Sequence, residues 1–281
     1  MINLVSEIGI NYAYGDSKSS FIENAKALID ISYNTECTHV KFQKRNPDLS
    51  TPENKKNEKK IVPWSNKPIT YLEYKKDIEF SIDEIEYLFS YAKEKGLIPF
   101  ASVWDIDSAK ELKNLTDIVK IPSAHVTNEK LLRYCGLFFK NKIISTGMST
   151  QNEVDSAISI LDPSVIMHTN STYPTPLEDL NLGYLKFLKK TYPSKEIGYS
   201  NHCDDIIPLI VSSTMGANWI EFHVTKNRNF WGSDQKSSFE EKEISKITNY
   251  IHTIEKSIKD GNKPRLLLPG ENEKKSSLRI I

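Results

Sequence analysis

The feature that most constrains the fold is a regular alternation of strand-like and helix-like patterns along nearly the whole chain. Short apolar runs rich in β-branched residues alternate with segments whose apolar residues repeat at helical spacing. The strand patterns span 2–11, 38–43, 97–103, 117–121, 142–145, 164–168, 197–200 and 219–224, and the helical patterns span 19–31, 81–95, 107–115, 128–135, 151–161, 180–191, 208–215 and 239–258. Such alternation is typical of parallel strands joined by crossover helices. Eight such units in about 250 residues match a (β/α)8 barrel, so we predict an α/β fold, a single-domain TIM barrel.

Local signals refine this prediction. Ser81 followed by Glu84 is a capping-box pattern, which indicates the start of a helix. The polar, proline-bearing stretch 46–67 predicts a long loop, and ordered loops of this kind often act as lids. The alternative fold is an open doubly wound sheet, but no Gly-x-Gly-x-x-Gly turn follows the first strand.

Charge and composition exclude several classes of function. The 281 residues include 37 basic and 37 acidic side chains, so no net charge favours binding to nucleic acid or to a membrane surface. No apolar run is long enough to span a bilayer, and the N-terminus lacks a signal-peptide pattern. The three cysteines, Cys37, Cys135 and Cys203, are odd in number and widely spaced, which indicates reduced thiols. We therefore predict a cytoplasmic protein with no nucleic-acid or membrane partner.

Polar and ionisable residues stand at the end of every predicted strand, where a barrel enzyme carries its chemistry. They are Glu7, Asn11, Lys41, Gln43, Ser102, Lys120, Ser123, Ser145, Thr146, His168, Asn170, Ser171, Ser200, His202, Glu221 and His223. Lys41 and Lys120 each follow a valine inside a strand that should be buried, and a buried lysine is costly unless an anion meets it. A lysine paired with Glu7 or Asp117, or reaching to the rim, is the alternative. The two lysines and the nearby hydroxyls favour a phosphate or carboxylate site.

Two histidines stand at the ends of neighbouring predicted strands. His202 closes the run from Gly198, and His223 closes the run from Ile220. In a barrel, both imidazoles would reach the same mouth and could share one divalent metal ion, with positions left for substrate. Two unrelated histidines, one capping a strand and one packed under a loop, remain the alternative.

Several motifs, in one order along the chain, resemble the sialic acid synthase family. They are Glu7-Ile-Gly-Ile-Asn11, Val40-Lys-Phe-Gln43, Val119-Lys-Ile-Pro-Ser123, Ser145-Thr-Gly-Met148, His168 with Tyr173-Pro-Thr-Pro176, Gly198-Tyr-Ser-Asn-His202, Phe222-His-Val-Thr225 and Gly232-Ser-Asp-Gln-Lys-Ser237. The resemblance implies a transferase of the N-acetylneuraminate synthase type, acting in sialic acid biosynthesis. Such an enzyme condenses phosphoenolpyruvate with an N-acetylmannosamine-like aldose and releases phosphate. The resemblance also implies a divalent ion, Mn²⁺ or Mg²⁺, at His202 and His223.

The same resemblance implies roles for individual residues. Glu7, Lys41, Lys120, His125 and Asp234 are the catalytic candidates; Ser102, Ser123, Ser145, Asn170, Ser171, Tyr173 and Ser200 are the substrate-binding candidates. The synthase barrel is expected to cover 1–262, and 263–281 resembles the start of a linker. Family members usually continue into a small antifreeze-like domain that reaches the partner's site in a dimer. Either this protein lacks that domain or the sequence is a piece of a longer chain. If the domain is lacking, we expect a more open sugar pocket, with residues 44–66 as a candidate cover. The resemblance leaves a homodimer open.

One residue, His125, departs from the family pattern, so the resemblance does not identify the acceptor sugar. His125 stands where the family usually carries an acid; it can transfer a proton near neutral pH or simply line the wall of the pocket.

The sequence leaves three alternative functions: a related synthase with a different aldose acceptor, a pyruvate-dependent metal aldolase, and a non-catalytic descendant that binds a sugar or a partner enzyme. The presence of both lysines and both histidines counts against the last of these.

Overall fold

The protein folds around a closed barrel of eight parallel strands in a computed structural model that describes residues 2–258 and 264–279. The strands are β1 (Asn3–Glu7), β2 (His39–Lys44), β3 (Ile98–Val103), β4 (Ile118–Ile121), β5 (Asn141–Ser145), β6 (Val165–His168), β7 (Glu196–Ser200) and β8 (Trp219–His223). Each strand pairs with its neighbours in the chain, and β1 closes the ring against β8. The predicted TIM barrel is therefore confirmed, and the open doubly wound sheet is excluded.

A helix follows each strand and covers the outside of the barrel. These helices are α1 (Phe21–Asn34), α2 (Ile82–Glu94), α3 (Ile106–Leu112), α4 (Glu129–Phe138), α5 (Gln151–Leu161), α6 (Tyr184–Thr191), α7 (Ile207–Thr214) and α8 (Glu241–Ser257). The capping box that begins α2 is confirmed, because the backbone N–H of Ser81 donates to Glu84 and that of Glu84 donates to Ser81. Further short helices span Pro47–Ser50, Tyr71–Asp77 and Pro269–Leu278.

Some predicted element bounds differ from the structure for local reasons. The first strand ends at Glu7 rather than at residue 11, because Gly9 adopts a positive φ of 53° and turns the chain. Helix α6 begins at Tyr184 rather than at residue 180, since Asn181 takes a φ of 44° that a helix does not allow. The predicted boundary between barrel and tail, at 262/263, lies outside the described residues.

The connection from β2 to α2 is an ordered lobe rather than a bare loop. It contains the helices Pro47–Ser50 and Tyr71–Asp77 and a small antiparallel ribbon that pairs Lys59–Lys60 with Ile69–Thr70. The rings of Trp64 and Tyr74 pack against Trp231, which follows β8. The lobe is thus held at the carboxyl-end mouth of the barrel.

The interior of the barrel is apolar at one end and polar at the other. Alternate residues of a strand point inward, and the inward positions nearer the strand starts form a buried apolar cluster of Val5, Phe100, Ile143, Val165, Met167 and Trp219. Gly198 leaves room for the Trp219 side chain, since a Cβ there would lie 2.9 Å from the Cβ of Trp219. The next inward position on most strands is polar, so the sequence places its chemistry at the carboxyl-end mouth.

No helix in the described ranges, 2–258 and 264–279, combines the length and the apolar character needed to cross a bilayer.

Candidate active site

A cavity of about 290 Å³ opens at the carboxyl ends of the strands. Its walls contain most of the predicted site residues, namely Glu7, Lys41, Ser102, Lys120, Ser123, Ser145, Ser171, Tyr173, Ser200, His202 and His223. The register explains why they meet: Glu7 is level with Lys41 on one side and with His223 on the other. Both buried lysines and both strand-end histidines therefore face one space.

The floor of the cavity is a buried network of two lysines and two carboxylates. The Nζ of Lys41 lies 2.9 Å from Glu7 and 3.5 Å from Glu221, and the Nζ of Lys120 lies 2.6 Å from Glu221. Ser200 donates a further hydrogen bond to Glu221 at 2.9 Å. The sequence alternative in which Lys41 pairs with Glu7 is therefore observed, whereas the partner of Lys120 is Glu221 and not Asp117.

The network sets the protonation of its members. Burial works to raise the pKa of Glu221, but the ammonium groups of Lys120 and Lys41 outweigh it and lower this pKa. Burial also works against the charge on Lys41, yet Glu221 and Glu7 together raise the pKa of this lysine. Lys120 has one close carboxylate and a neighbouring ammonium, so burial dominates and lowers its pKa to about 8. Lys120 is thus the lysine of the pair that gives up its proton more easily.

Glu221 is the main residue of this site for which the sequence predicted no role, although it is one of the polar residues at the strand ends. A signal was available: Glu221 precedes His223 by two positions on β8, and a period of two places both side chains on the inner face. Gln43 and Trp104 also line the cavity. Gln43 donates to Glu7 at 2.8 Å, so it holds this carboxylate in place beside Lys41.

Serine hydroxyls gather around Gly147 on the wall opposite β1. The backbone N–H of Gly147 donates to the Oγ of Ser123 at 3.1 Å, and a Cβ at Gly147 would lie 2.3 Å from the Oγ of Ser171. The hydroxyls of Ser145 and Ser171 are buried and have no hydrogen-bond partner among the described residues. Unsatisfied buried hydroxyls are costly unless a polar ligand meets them. This serine cluster, Ser123, Ser145 and Ser171 around Gly147, has the chemistry of an oxyanion cradle.

The two histidines lie next to each other at the rim of β7 and β8, with ring centroids 5.6 Å apart. The Nδ1 of His202 lies 2.6 Å from the carbonyl oxygen of Asn170, so Nδ1 carries the proton and Nε2 carries the lone pair, which accepts a hydrogen bond from the Tyr173 hydroxyl. Burial, together with the neighbouring His223, lowers the pKa of His202 to about 3, which keeps its imidazole neutral. The Nδ1 of His223 is buried, makes no hydrogen bond within the described residues, and lies 3.7 Å from Asp234.

The protonation and hydrogen bonds of His202 and His223 indicate whether a divalent ion could bind to this pair. Metal ions bind the neutral form of histidine, and a hydrogen bond from the second ring nitrogen fixes the ligating one. His202 meets both conditions, and the unsatisfied Nδ1 of His223 supplies a second nitrogen donor. Within residues 2–258 and 264–279, no three His, Cys, Asp or Glu side chains already form a metal cluster. The donor set therefore suits an ion that takes its other ligands from water or substrate.

Three predicted residues lie outside the cavity wall. His125 lies edge-on to the ring of Trp104 at 5.3 Å and its Nδ1 is 3.3 Å from Asn128, so it supports the wall from behind. The side chain of Asn170 donates to the carbonyl of Asp179, because the loop after β6 turns it away from the cavity. Asp234 reaches the histidine rim from the loop after β8. For Asn170, the structure thus places the backbone carbonyl, rather than the side chain, next to His202.

Comparisons with known proteins show which family this chain resembles. The NeuB family profile matches residues 28–263. The chain is 29% identical over 270 residues to N,N'-diacetyllegionaminic acid synthase of Campylobacter jejuni, covering 92% of this chain and 78% of that protein. It is 31% identical over 283 residues to N-acetylneuraminate-9-phosphate synthase of Mus musculus, covering 96% of this chain and 75% of that protein.

A solved structure shares the whole fold. The N-acetylneuraminic acid synthetase of Leptospira borgpetersenii, in complex with citrate, superposes with a TM-score of 0.84 at 28% identity, covering 99% of this chain and 92% of that one. The resemblance to the sialic acid synthase family is thereby confirmed. The chain belongs to the NeuB family and is an enzyme of the phosphoenolpyruvate-dependent sugar acid synthase type.

Proposed function

We propose that this enzyme condenses phosphoenolpyruvate with an N-acetylmannosamine-like aldose and yields a 2-keto-3-deoxy sugar acid and inorganic phosphate. The observation that carries the proposal is the single cavity whose walls hold the lysine pair, the serine cluster and the histidine pair. An anionic three-carbon substrate and an aldehyde must meet in such a reaction. Groups suited to each of them face each other here across one space.

Phosphoenolpyruvate would lie between the serine cluster and the lysines. The unsatisfied hydroxyls of Ser145 and Ser171, with Ser123, suit its phosphate or carboxylate oxygens as donors. Lys41 and Lys120 supply positive charge, and Ser200 and Ser102 line the same wall. Glu7 and Glu221 keep both lysines charged in the protein interior before the substrate arrives.

A divalent ion, Mn²⁺ or Mg²⁺, would be held by His202 and His223. When bound, it supplies Lewis-acid polarisation of the aldehyde oxygen. Tyr173 covers this rim, since its ring lies 4.0 Å from that of His202 between centroids, and it would line the sugar pocket. Asp234 would contact the sugar or orient the donors around His223.

The chemistry balances with the residues present. A bond forms between C3 of the enol phosphate and the aldehyde carbon, and the aldehyde oxygen gains a proton. Water adds at C2 and loses one proton, which leaves a hydroxyl group there. The C2–O bond to phosphate then breaks, and the proton of this hydroxyl passes to the departing phosphate, which leaves the ketone. Glu7 lies beside Lys41 and level with His223, and it would accept or deliver one of these protons. His125 lies behind Trp104, so we propose an indirect role for it through the wall of the pocket.

The test is product analysis. The purified protein is incubated with phosphoenolpyruvate, Mn²⁺ or Mg²⁺ and a panel of aldoses, and inorganic phosphate and the sugar acid mass are measured. One phosphate per sugar acid is expected. A pyruvate-dependent aldolase would instead consume pyruvate and release no phosphate, and a non-catalytic protein would form no product. A homodimer and a cytoplasmic location stay predictions from the sequence.

A further inference from the structure

A second cavity, of about 480 Å³, lies at the amino end of the barrel, opposite the end that carries the active site. This volume is typical of small-molecule sites, which span about 300–1,000 Å³. We call it the amino-end cavity. The first residues of seven of the eight strands line it, namely Asn3, His39, Ile118, Asn141, Val165, Glu196 and Trp219.

His39 faces this cavity from inside the barrel. It stands two positions before Lys41, and a period of two places both side chains on the inner face of β2. The residue is only 4% exposed, and its ring centroid lies 4.8 Å from that of Trp219. The Nδ1 of His39 lies 2.8 Å from the hydroxyl of Thr38, whereas Nε2 has no hydrogen-bond partner among the described residues. A polar nitrogen in this position is costly unless a ligand or a water molecule meets it.

The charges around the amino-end cavity favour a neutral ligand. Burial lowers the pKa of His39 to about 4, so its imidazole carries no charge at neutral pH. The ammonium group of Lys195, which also lines the cavity, pairs with Asp162. The Glu196 carboxylate accepts a hydrogen bond from the indole of Trp219. A carboxylate has further acceptor positions, so Glu196 suits a ligand that donates hydrogen bonds.

The lining matches a nucleoside, which joins a flat base to a sugar with hydroxyl groups. Bases stack on aromatic rings, and His39 and Trp219 supply two such rings. The edge of a base carries both donors and acceptors, so it meets Nε2 in either tautomer of His39. The amides of Asn3 and Asn141 are further partners for the base, and ribose hydroxyls are ordinary donors to a carboxylate such as Glu196.

Two strands connect the amino-end cavity to the floor of the active site. His39 precedes Lys41 by two positions on β2, and Trp219 precedes Glu221 by two positions on β8. The Nζ of Lys41 lies 3.5 Å from Glu221, so the two strands meet in one buried ion pair. Because packed interiors transmit small displacements, a ligand that moves either strand at the amino end also changes this ion pair.

We infer that the amino-end cavity is a regulatory site for a neutral ribonucleoside, and that its occupation changes the affinity for phosphoenolpyruvate through β2 and β8. The second effect rests on the proposed binding of phosphoenolpyruvate, whereas the site itself does not. The two affinities must change by the same factor, since coupling between two sites is reciprocal. The alternative is a water-filled cavity in which His39 serves only the packing of the barrel.

Calorimetric titration of the full chain with cytidine, uridine, adenosine and guanosine tests the site without any turnover. At least one nucleoside should bind saturably, with a Kd of about 1 mM or tighter. His39→Phe keeps an aromatic ring but removes Nε2, and it should weaken this binding at least about tenfold. Asn141→Leu changes an exposed residue of the cavity rim and should also weaken it, which keeps the test decisive if His39→Phe does not fold. Asn114→Leu is the control, because Asn114 is exposed near the same end but lines a neighbouring cleft.

A second titration measures the Kd of phosphoenolpyruvate at increasing nucleoside concentrations. We expect a change of about fivefold or more that reaches a plateau, the mark of two coupled sites. An apparent Kd that rises without limit would place the nucleoside in the active site and overturn the inference. Absence of saturable binding, or binding that both cavity variants leave unchanged, would reject the site. Saturable binding with no change in the Kd of phosphoenolpyruvate would reject its regulatory role, and tighter binding of a nucleoside 5′-monophosphate would contradict the neutral ligand class.

Discussion

The hydroxyl of Tyr173 donates a hydrogen bond to the Nε2 of His202 over 2.7 Å. The opposite ring nitrogen of His202 is bonded to the carbonyl of Asn170 at 2.6 Å, so Nε2 is the acceptor. This is the nitrogen that a metal ion would use. The tyrosine and such an ion would therefore compete for one lone pair.

Tyr173→Phe should raise the affinity for Mn²⁺ in the absence of sugar by about two- to tenfold, because the competing hydrogen bond is removed. Isothermal titration calorimetry measures this affinity directly. Tyr184→Phe is the control, since its hydroxyl bonds to Gln151 away from the histidine pair. An unchanged or weaker affinity in Tyr173→Phe would show that the tyrosine does not guard this nitrogen.

Glu221→Gln should destabilise the fold by about 3 kcal/mol, because it leaves the ammonium groups of Lys41 and Lys120 with one buried carboxylate between them. Urea unfolding monitored by circular dichroism gives the free energy of unfolding. Glu129→Gln is a matched control, since its partner Arg133 lies on the exposed face of α4 and such pairs contribute about 0.5 kcal/mol or less. Similar losses for both variants would argue against a shared counter-charge at Glu221.

The kcat/KM for phosphoenolpyruvate should fall as the pH rises through about 8, where Lys120 loses the proton that makes it a cation. Unfolding does not explain this fall in kcat/KM. Folding lowers the pKa of Lys120 from its ordinary value of 10.5 to about 8. Between about pH 8 and pH 10.5, the unfolded chain therefore binds more protons than the folded one. In that window the group adds to stability as the pH rises. A pH profile of kcat/KM, alongside melting curves, separates the two effects.

Lys120→Arg provides the second arm of that experiment, because arginine stays charged throughout this range. The break near pH 8 should then disappear, whatever the absolute rate. A break that persists unchanged in Lys120→Arg would assign the titration to another group.

Gly147→Ala should raise the KM for phosphoenolpyruvate at least about tenfold, since loss of a charge-assisted contact has effects of that size. The new Cβ would lie 2.3 Å from the Oγ of Ser171 and 2.8 Å from that of Ser123, so both hydroxyls must move. Steady-state kinetics with varied phosphoenolpyruvate measures the change. At Gly183 the nearest atom to an added Cβ lies 3.7 Å away, so Gly183→Ala should leave this KM unaltered. Equal KM values for the two variants would remove the serine cluster from the substrate site.

The fold follows largely from local pattern. Eight alternations of strand and helix spacing, with polar residues at the strand ends, predict the barrel and the end that carries the site. The period of two likewise places Lys41, Lys120 and His223 on the inner face of their strands, and His202 follows the end of β7; all four line one cavity. These outcomes depend on spacing along a strand and the residues directly after it, which the sequence states directly.

The pairing of charges depended on closure of the barrel. Lys120 and Glu221 are 101 positions apart, and nothing local to either residue selects the other over Asp117. Turn geometry directed the Asn170 side chain away from the cavity, toward the carbonyl of Asp179. Packing of the lobe after β2 on Trp231 placed Lys60 and Lys75 at the mouth.

The sequence by itself therefore determined the barrel, the face that carries the chemistry and the residue types available there, because strand and helix periodicities are properties of short segments. Only the tertiary structure decided which cation pairs with which carboxylate. Those choices arise from distances between strands and loops far apart in the chain, and such distances are fixed once the ring of strands has closed.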